Sequence, residues 1–571
     1  MRILLLVHAF NSLSQRVFTA LEAAGHEVSV EFDISDQVSR EALALFSPDV
    51  IVAPFLKRAI PEDIWRACPC LIIHPGIPGD RGPSALDWAL MNGERRWGVT
   101  ILQAEAEMDA GPVWAYAEFD MREAAKSSLY RREVTEAAVA ALLLALSRLQ
   151  GGDFTPASAE ACGAARLGEW RAAMTQNERA IDWPADDTAT VLRKIRSADG
   201  VPGVRDRLED QTLYLHDAHR AEGLRGDPGD ILAVSGPAIA RATMDGAVWI
   251  GHVRRPGGPH PFKLPASAAL ADMLEDALPQ IPPGSPGGYP DISYVEEGEI
   301  GYLHFDFYNG AMGTEACGRL LEAYREACRR PTKLIVLMGG PEFWSNGMNL
   351  NLIEAADNPA DESWRNINAI NDLAEAILTT PNHLTIAALQ GNAGAGGVFL
   401  ARAADLVWLR SGVTLNPHYK DMGNLHGSEF WTYLLPRHTG AHSAGRIMGS
   451  RLPMGAAAAV SARLAEAHFG ADHAEFMAEL KCRALALLST GELKRLLAAK
   501  SARRRMDEQK CPLSAYREAE LAEMKRNFYG PDPSYHVARY NFVCKVPKSR
   551  TPKSLARHRR PAALNRRRQA S

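Results

Sequence analysis

Five prolines (Pro279, Pro282, Pro283, Pro286 and Pro290) crowd the stretch from Leu278 to Pro290, with glycines among them. Proline fixes φ and carries no N–H, so neither a helix interior nor a central strand can run through such a segment. The chain must therefore fold as separate bodies on either side of a linker over residues 278–290. At ~150 residues per domain, 571 residues leave room for roughly three to four cores. Upstream of the linker, short apolar runs alternate with amphipathic ones. Arg2 to Val7 fits a buried strand, Gln15 to Ala24 an amphipathic helix, and His26 to Phe32 a strand with Val28, Val30 and Phe32 on one face. Val50 to Ala53 and Leu71 to Ile73 follow. This alternation predicts a parallel, doubly wound sheet that binds ligands at the carboxyl ends of its strands. Glu133 to Leu149 reads as a long helix, and Gln150-Gly-Gly-Asp-Phe-Thr-Pro156 ends the first body. The strand-like pieces Thr212 to Leu215, Asp230 to Val234 and Ala247 to Val253 predict a small β-rich domain over 151–277. From Ile292 strand–helix alternation resumes, turning mostly helical after about residue 440.

Lys and Arg number 64 against 68 Asp and Glu, and a net charge of −4 excludes the global electrostatics of a nucleic-acid binder. The imbalance is local, since ten Lys or Arg and no acid follow Val543. This basic tail, residues 546–571, reads as a disordered solubilising segment. Its Arg557-His-Arg-Arg560 and Arg566-Arg-Arg568 would also suit nucleic acid, an acidic partner or the phosphates of a cofactor. Of eight cysteines only Cys68 and Cys70 are near neighbours, without a second pair or a nearby histidine. They read as reduced apolar fillers, and no bound metal is expected. No window approaches the ~18 apolar residues of a membrane span, and the whole reads as cytoplasmic.

His74 closes the apolar run Leu71 to Ile73, and Pro75-Gly76 turns the chain at once. A histidine at the mouth of a parallel strand can polarise a carbonyl or carry a proton, although a lone histidine is more often structural. Its company is what matters: His74-Pro-Gly76, Arg81-Gly-Pro83, Gly98-Val-Thr-Ile101 and Met108-Asp109-Ala-Gly-Pro112. Over roughly residues 1–275 this string resembles the folate-dependent formyltransferases. Ile181-Asp-Trp183, Ile195-Arg196 and Pro202-Gly203 resemble that family's small carboxy-terminal domain. The resemblance implies that His74 polarises the formyl group of formyl-tetrahydrofolate, while Asp109 orients the histidine and manages protons. It also implies an oxyanion-stabilising Asn two residues before the histidine, where this chain has Ile72. Losing such a donor typically costs ~10²–10³ in rate. Either the module is dead or its acceptor differs, and a thiol nucleophile would depend on that donor less than an amine. The family's pterin-contact stretch falls on Phe55 to Pro61, which implies that the backbone of Arg58, Ala59 and Ile60 meets the pterin. The turn Asn11-Ser12-Leu-Ser-Gln15, followed by Arg16, opens the first helix and suits a phosphate, with ordinary N-capping as the alternative.

Beyond the linker, Ile335 to Met338 reads as a strand leading into Gly339-Gly-Pro-Glu-Phe-Trp-Ser-Asn-Gly347-Met348. A second apolar run leads into Gly391-Asn-Ala-Gly-Ala-Gly396-Gly397. Gly-rich turns between strand and helix can aim two backbone N–H groups at one oxygen. In this order and spacing they resemble the crotonase superfamily (enoyl-CoA hydratase/isomerase) over roughly residues 290–470. The resemblance implies that the N–H groups of Met348 and Gly396, with Gly397 beside them, polarise an acyl-CoA thioester carbonyl. The hydratase glutamates fall on Phe399 and on or near His418, so hydration, which needs paired carboxylates, is not expected. Glu429, Tyr419 and His418 remain as acid–base candidates. Burial among aromatics would raise the Glu429 pKa, and a helix-surface glutamate is the bland alternative.

The resemblances imply an α/β multidomain chain. A Rossmann-like formyltransferase fold spans 1–150, its small β-rich C-terminal domain 151–277, and a crotonase-fold domain 291–545. The pairing, with Asn416-Pro-His-Tyr419, Gly427-Ser-Glu-Phe-Trp-Thr-Tyr433 and Asn527-Phe-Tyr-Gly530, resembles the HypX/HoxX hydrogenase maturation family as far as about Lys548. That resemblance implies an enzyme that passes formyl from formyl-tetrahydrofolate to the thiol of coenzyme A and then releases carbon monoxide from formyl-CoA. Glu429 and Tyr419 would handle the protons of the second step, and Arg539 would contact CoA phosphate. The implied partners are these small molecules and hydrogenase maturation proteins or the hydrogenase large-subunit precursor, not nucleic acid or a membrane. Three alternatives stay open: an amine formyltransferase with an inert second module, a formyl-tetrahydrofolate hydrolase, and a non-enzymatic chaperone loaded with folate or CoA.

Overall fold

The structure, a computed structural model, describes residues 1–489 and 491–560. It divides into two compact units, Met1–Ile281 together with the chain end from Pro547, and Pro282–Val546. In the first, strands β1 (Arg2–Val7), β2 (Glu27–Phe32), β3 (Val50–Phe55), β4 (Cys70–His74), β5 (Arg96–Gln103) and β6 (Val113–Asp120) form one sheet in the order β2-β1-β3-β4-β5-β6. β1 to β4 are parallel, and their near-continuous apolar runs are those of strands buried on both faces. The doubly wound expectation stops there, because β5 runs antiparallel to β4 and β6 returns antiparallel to β5. The loop between them is too short for a parallel crossover, which needs a dozen or more residues.

Among the described residues one helical segment, Lys126–Gly151, has the length and hydropathy to cross a membrane, a feature the sequence reading missed. Its Ala138, Leu142, Ala145 and Leu146 are buried, and the helix packs on β5 and β6. That is the behaviour of an apolar core helix. A second, antiparallel sheet (Val204–Leu208, Gln211–Arg220, Ala247–Arg254, Ala238–Ala242, Ile231–Ser235) packs over Trp183, Val191 and Ile195. The proline-rich segment starts as an extension of that sheet's edge. Val234 N–H donates to Pro279 O and Ile281 N–H to Val234 O, both at 2.9 Å.

The described part of the basic tail is bonded to β2, which corrects the expectation of a disordered segment for residues 547–560. β2 is the sheet's edge, and its outward N–H groups need acceptors. Val30 donates to Leu555 O at 3.1 Å and Phe32 to Thr551 Oγ1 at 2.8 Å. Ser29 and Glu31, both buried, meet His558 at 2.7 and 3.0 Å, and Arg559 reaches Glu31 at 2.6 Å. β2 is therefore covered on both faces, where the alternation of Val28, Val30 and Phe32 had suggested one. Arg566 to Arg568 lie outside the described residues.

The second unit carries a six-stranded sheet (Ile292–Glu297, Ile300–Phe305, Leu334–Leu337, Leu384–Leu389, Leu406–Arg410, Ala467–Phe469), parallel after its first hairpin. A smaller sheet joins Phe343–Ser345, Asn392–Gly394, Thr414–Asn416 and Met454–Gly455. Its register sets Ser345 beside Ala393 and Gly394 beside Asn416. The two Gly-rich turns thereby leave neighbouring strands side by side. Leu303, Phe305, Trp344, Leu389 and Phe399 belong to the core beneath.

Candidate active sites

The first site grows from the end of β4. His74 is its last residue, buried, at the carboxyl edge of the parallel strands. Its Nδ1 lies 3.6 Å from Asp109 Oδ1, so the predicted pair is brought together at a separation beyond a hydrogen bond. Asp109 adopts φ +58°, a left-handed conformation that Asp tolerates better than most residues. The other ring nitrogen, Nε2, lies 2.9 Å from Asp80 Oδ1, and Asp80 is also buried. The sequence reading missed Asp80. It stands in a Gly-Asp-Arg turn, and only its presence one turn beyond His74 hinted at it. Ile72 packs with the apolar core below the histidine and offers no donor.

Arg58, Ala59 and Ile60 lie in the loop after β3, at the carboxyl end of the strand next to β4. The Arg58 guanidinium pairs with Asp33 and Asp36, and Ile60 is buried in the core. Ser12 begins the helix Ser12–Ala23, but its cap is Asn11, whose Oδ1 accepts the Ser14 N–H at 3.0 Å. Gln15 donates to Phe10 O at 3.0 Å and Arg16 pairs with Glu136 at 3.2 Å.

The second site is a cavity of about 160 Å³ walled by Met348, Leu350, Ile367, Met422 and Leu425, with buried Glu429, Tyr419 and His418, and the less buried Asn346 and Asp421, as its polar groups. The helix Gly396–Arg402 starts here, and its first N–H groups have no acceptor within the helix. Ala395 before it holds φ +47°, ψ −126°, a strained entry of the kind that persists at functional sites. The Met312 N–H donates to Gly347 O at 2.9 Å and Met312 O accepts the Asn349 N–H at 3.1 Å, a parallel bridge that turns the Met348 N–H away from Met312. A Cβ on Gly396 would stand 2.0 Å from Glu429 Oε1, so the helix start and the carboxylate touch and only glycine fits. Gly397 is likewise required, since a Cβ there would meet Ser345 O at 2.1 Å.

Glu429 lies in a tight turn, with φ +60° there and +59° at Phe430. Its Oε2 accepts the Tyr419 hydroxyl at 2.7 Å and the Ser428 N–H at 3.1 Å, while Asn371 Oδ1 accepts the Glu429 N–H at 2.9 Å. Burial pushes the Glu429 carboxyl up to about 7, with buried Glu520 adding to the shift and the Tyr419 bond opposing it. Burial, and then the Glu429 charge, hold the Tyr419 phenol well above its ordinary value. The bland surface-helix alternative for Glu429 is thus overturned. Phe399, at the hydratase glutamate position, stacks on Tyr419 at 5.7 Å and 19°. His418 is buried, which lowers its pKa, and its Nδ1 has no protein partner among the described residues. Arg539 is buried and bonded to Glu354 at 2.7 Å and His536 at 2.8 Å, some way into the protein's own polar network.

A buried histidine between carboxylates at the end of a parallel sheet, and a cavity in which a buried glutamate meets a glycine helix start, define a two-module protein: a formyltransferase fold joined to a crotonase fold. Residues 14–146 match the formyl transferase family, 173–260 the formyl transferase C-terminal domain, and 309–525 the enoyl-CoA hydratase/isomerase family. The hydrogenase maturation factor HoxX of Bradyrhizobium diazoefficiens is 55% identical over 559 residues, 98% of this chain and 97% of that protein. The crystal structure of HypX from Aquifex aeolicus in complex with tetrahydrofolic acid superposes with a TM-score of 0.94 at 48% identity, covering 98% of this chain and 99% of that one. Methionyl-tRNA formyltransferase of Variovorax paradoxus is 30% identical over 243 residues, 41% of this chain and 71% of that enzyme. The chain belongs to the HoxX/HypX family of hydrogenase maturation factors.

Proposed function

We propose that this protein makes carbon monoxide from formyl-tetrahydrofolate in two steps, in the cytoplasm, as the source of the carbon monoxide ligand of a nickel–iron hydrogenase. In the first, the thiol of coenzyme A attacks the formyl carbon at His74 and Asp109. The C–S bond forms, the bond to the folate nitrogen breaks, and the thiol proton passes through the site to that nitrogen. Folate binding is supported by the tetrahydrofolate held by the Aquifex aeolicus HypX. The backbone of Arg58 to Ile60 is the candidate pterin contact. Ser12, Gln15, Arg16 and Arg539 are weaker candidates for CoA phosphate, because Arg16 and Arg539 already have acidic partners.

In the second step the N–H groups of Met348 and Gly396 hold the thioester oxygen of formyl-CoA. Glu429 takes the formyl proton, the C–S bond breaks, and a proton relayed through Tyr419 and Glu429 reaches sulfur, releasing carbon monoxide and free CoA. The observation that carries this reading is the cavity itself. Of its two carboxylates only Glu429 is buried against the Gly396 helix start, Asp421 being exposed, whereas hydration needs a pair, and about 160 Å³ suits a one-carbon acyl group better than a fatty chain.

The test is to incubate the purified protein with formyl-tetrahydrofolate, with and without CoA, and to read the headspace with deoxyhaemoglobin. Carbon monoxide is expected only when CoA is present. His74→Ala should abolish both tetrahydrofolate release and carbon monoxide, whereas Gly396→Pro should stop carbon monoxide alone. Formate or a formylated amine without carbon monoxide would overturn the proposal.

A further inference from the structure

We infer that Asp80 decides which nitrogen of His74 does the work: it fixes the proton on Nε2 and leaves Nδ1 to accept and return the transferred proton. The inference rests on the formyl-transfer half of the proposed function and assigns Asp80 as a positioning residue. A carboxylate can only accept, so its 2.9 Å contact requires Nε2 to be the donor. This contact is walled in. A Cβ on Gly76 would stand 2.5 Å from His74 Nε2 and 2.6 Å from Asp80 Oδ1, and one on Gly168 would stand 2.5 Å from Asp80 Cβ. No substrate atom has room at Nε2.

The turn that carries Asp80 is anchored to the sheet, which makes the arrangement rigid. Thr100 Oγ1 donates to Gly76 O at 2.8 Å, Trp97 Nε1 to Pro75 O at 2.9 Å, and the Asp80 N–H to Ile77 O at 3.0 Å. Nδ1, by contrast, is 3.6 Å from Asp109 and is not committed to a hydrogen bond. It is the open nitrogen of the ring. As the C–S bond forms, the thiol proton moves to Nδ1. When the bond to the folate nitrogen breaks, the same proton passes to that nitrogen, and His74 returns to its starting tautomer. While both nitrogens carry protons, the charged ring sits beside the formyl oxygen. That charge compensates for the donor absent at Ile72, and Asp80 stabilises it from behind.

Asp80→Asn tests this, because an amide can donate to Nε2 and drive the proton to Nδ1. The kcat for tetrahydrofolate release with CoA should fall by about 10³–10⁴-fold, with KM for formyl-tetrahydrofolate within about 3-fold. Nitrogen-15 NMR of histidine-labelled protein, with the His74 signals identified by their loss in His74→Gln, should show Nε2 protonated and Nδ1 bare at high pH. In Asp80→Asn the pattern should invert. A kcat loss smaller than about 10-fold, or a wild-type ring protonated on Nδ1 alone, overturns the inference. If Asp80→Asn does not fold, the wild-type spectrum still decides. If the wild-type protein releases no tetrahydrofolate with CoA, the proposed function fails while the tautomer is read independently.

Discussion

Glu429 shows how far a single side chain depends on its backbone. Two successive residues in the left-handed region, at φ +60° and +59°, turn its carboxylate back onto Gly396 rather than out to solvent. Burial then pushes its pKa up to about 7. A carboxylate acting as base works only when ionised, so carbon monoxide release from chemically prepared formyl-CoA should climb as pH passes through about 7 and fall away below it. Glu429→Gln keeps the shape and removes the base. It should lower that rate by about 10²–10⁴-fold and leave tetrahydrofolate release unchanged, as followed by carbon monoxide trapping and folate absorbance. A rate that is flat from pH 5 to 8 would remove Glu429 from the base role. At this scale the sequence was legible where short motifs mark the candidate groups, since His74 and Asp109 do meet in one site and Gly396 and Glu429 in the other. Asp80 and Asn371 were not legible, because each acts through a contact that only the folded turn or helix creates.

At the scale of elements, the turn that aims Glu429 is held by a helix far along the chain. Glu520, buried in the helix Leu513–Tyr529, accepts the Ser428 hydroxyl at 3.2 Å, the Phe430 N–H at 2.9 Å and the Thr432 N–H at 2.8 Å. These bonds offset the strain of the left-handed residues, of order 1–3 kcal/mol each. Periodicity gave that helix its place in a mostly helical region, but no periodicity announces a buried acid bonded to a distant loop. The strands fared similarly: apolar runs located β1 to β4, while the reversal at β5 depended on pairing that composition does not encode. Burial pushes Glu520 up to about 7 as well. Its folded value exceeds its ordinary one, so its contribution to stability is full at pH below about 4.5 and declines as pH rises toward 7. The slope is about 1.4 kcal/mol per pH unit. Glu520→Gln should flatten the fall in unfolding temperature between pH 5 and 7, measured calorimetrically against the unmodified protein. An unchanged pH slope would show that Glu520 is ionised without penalty.

At the scale of the whole molecule, the chain leaves its first unit after Ile281 and comes back to it from Pro547. The second unit is therefore an insertion, bounded by two covalent connections to the first. The returning segment completes β2, whose polar residues make no sense as an isolated edge strand. Ser29 and Glu31 are buried under His558, Thr551 and Arg559, and the N–H groups of Val30 and Phe32 end on Leu555 and Thr551. Removing residues 547–571 would strip those partners at once, and each buried group left unpaired costs about 1–3 kcal/mol. Burial alone would push the Glu31 carboxyl up, but the bonds from His558, Thr551 and Arg559 outweigh it and hold the carboxyl below its ordinary value. Stability from a lowered carboxylate is present above its ordinary pKa and lost as pH falls through the lowered one. The truncated protein should therefore unfold several degrees earlier than the full chain at pH 7, with rapid hydrogen exchange at Val30 and Phe32. The gap should narrow as pH falls below the ordinary carboxylate range and Glu31 is protonated in both proteins. Equal unfolding temperatures at pH 7, or unchanged protection of those two amides, would mean that the tail merely rests on an edge that is already complete.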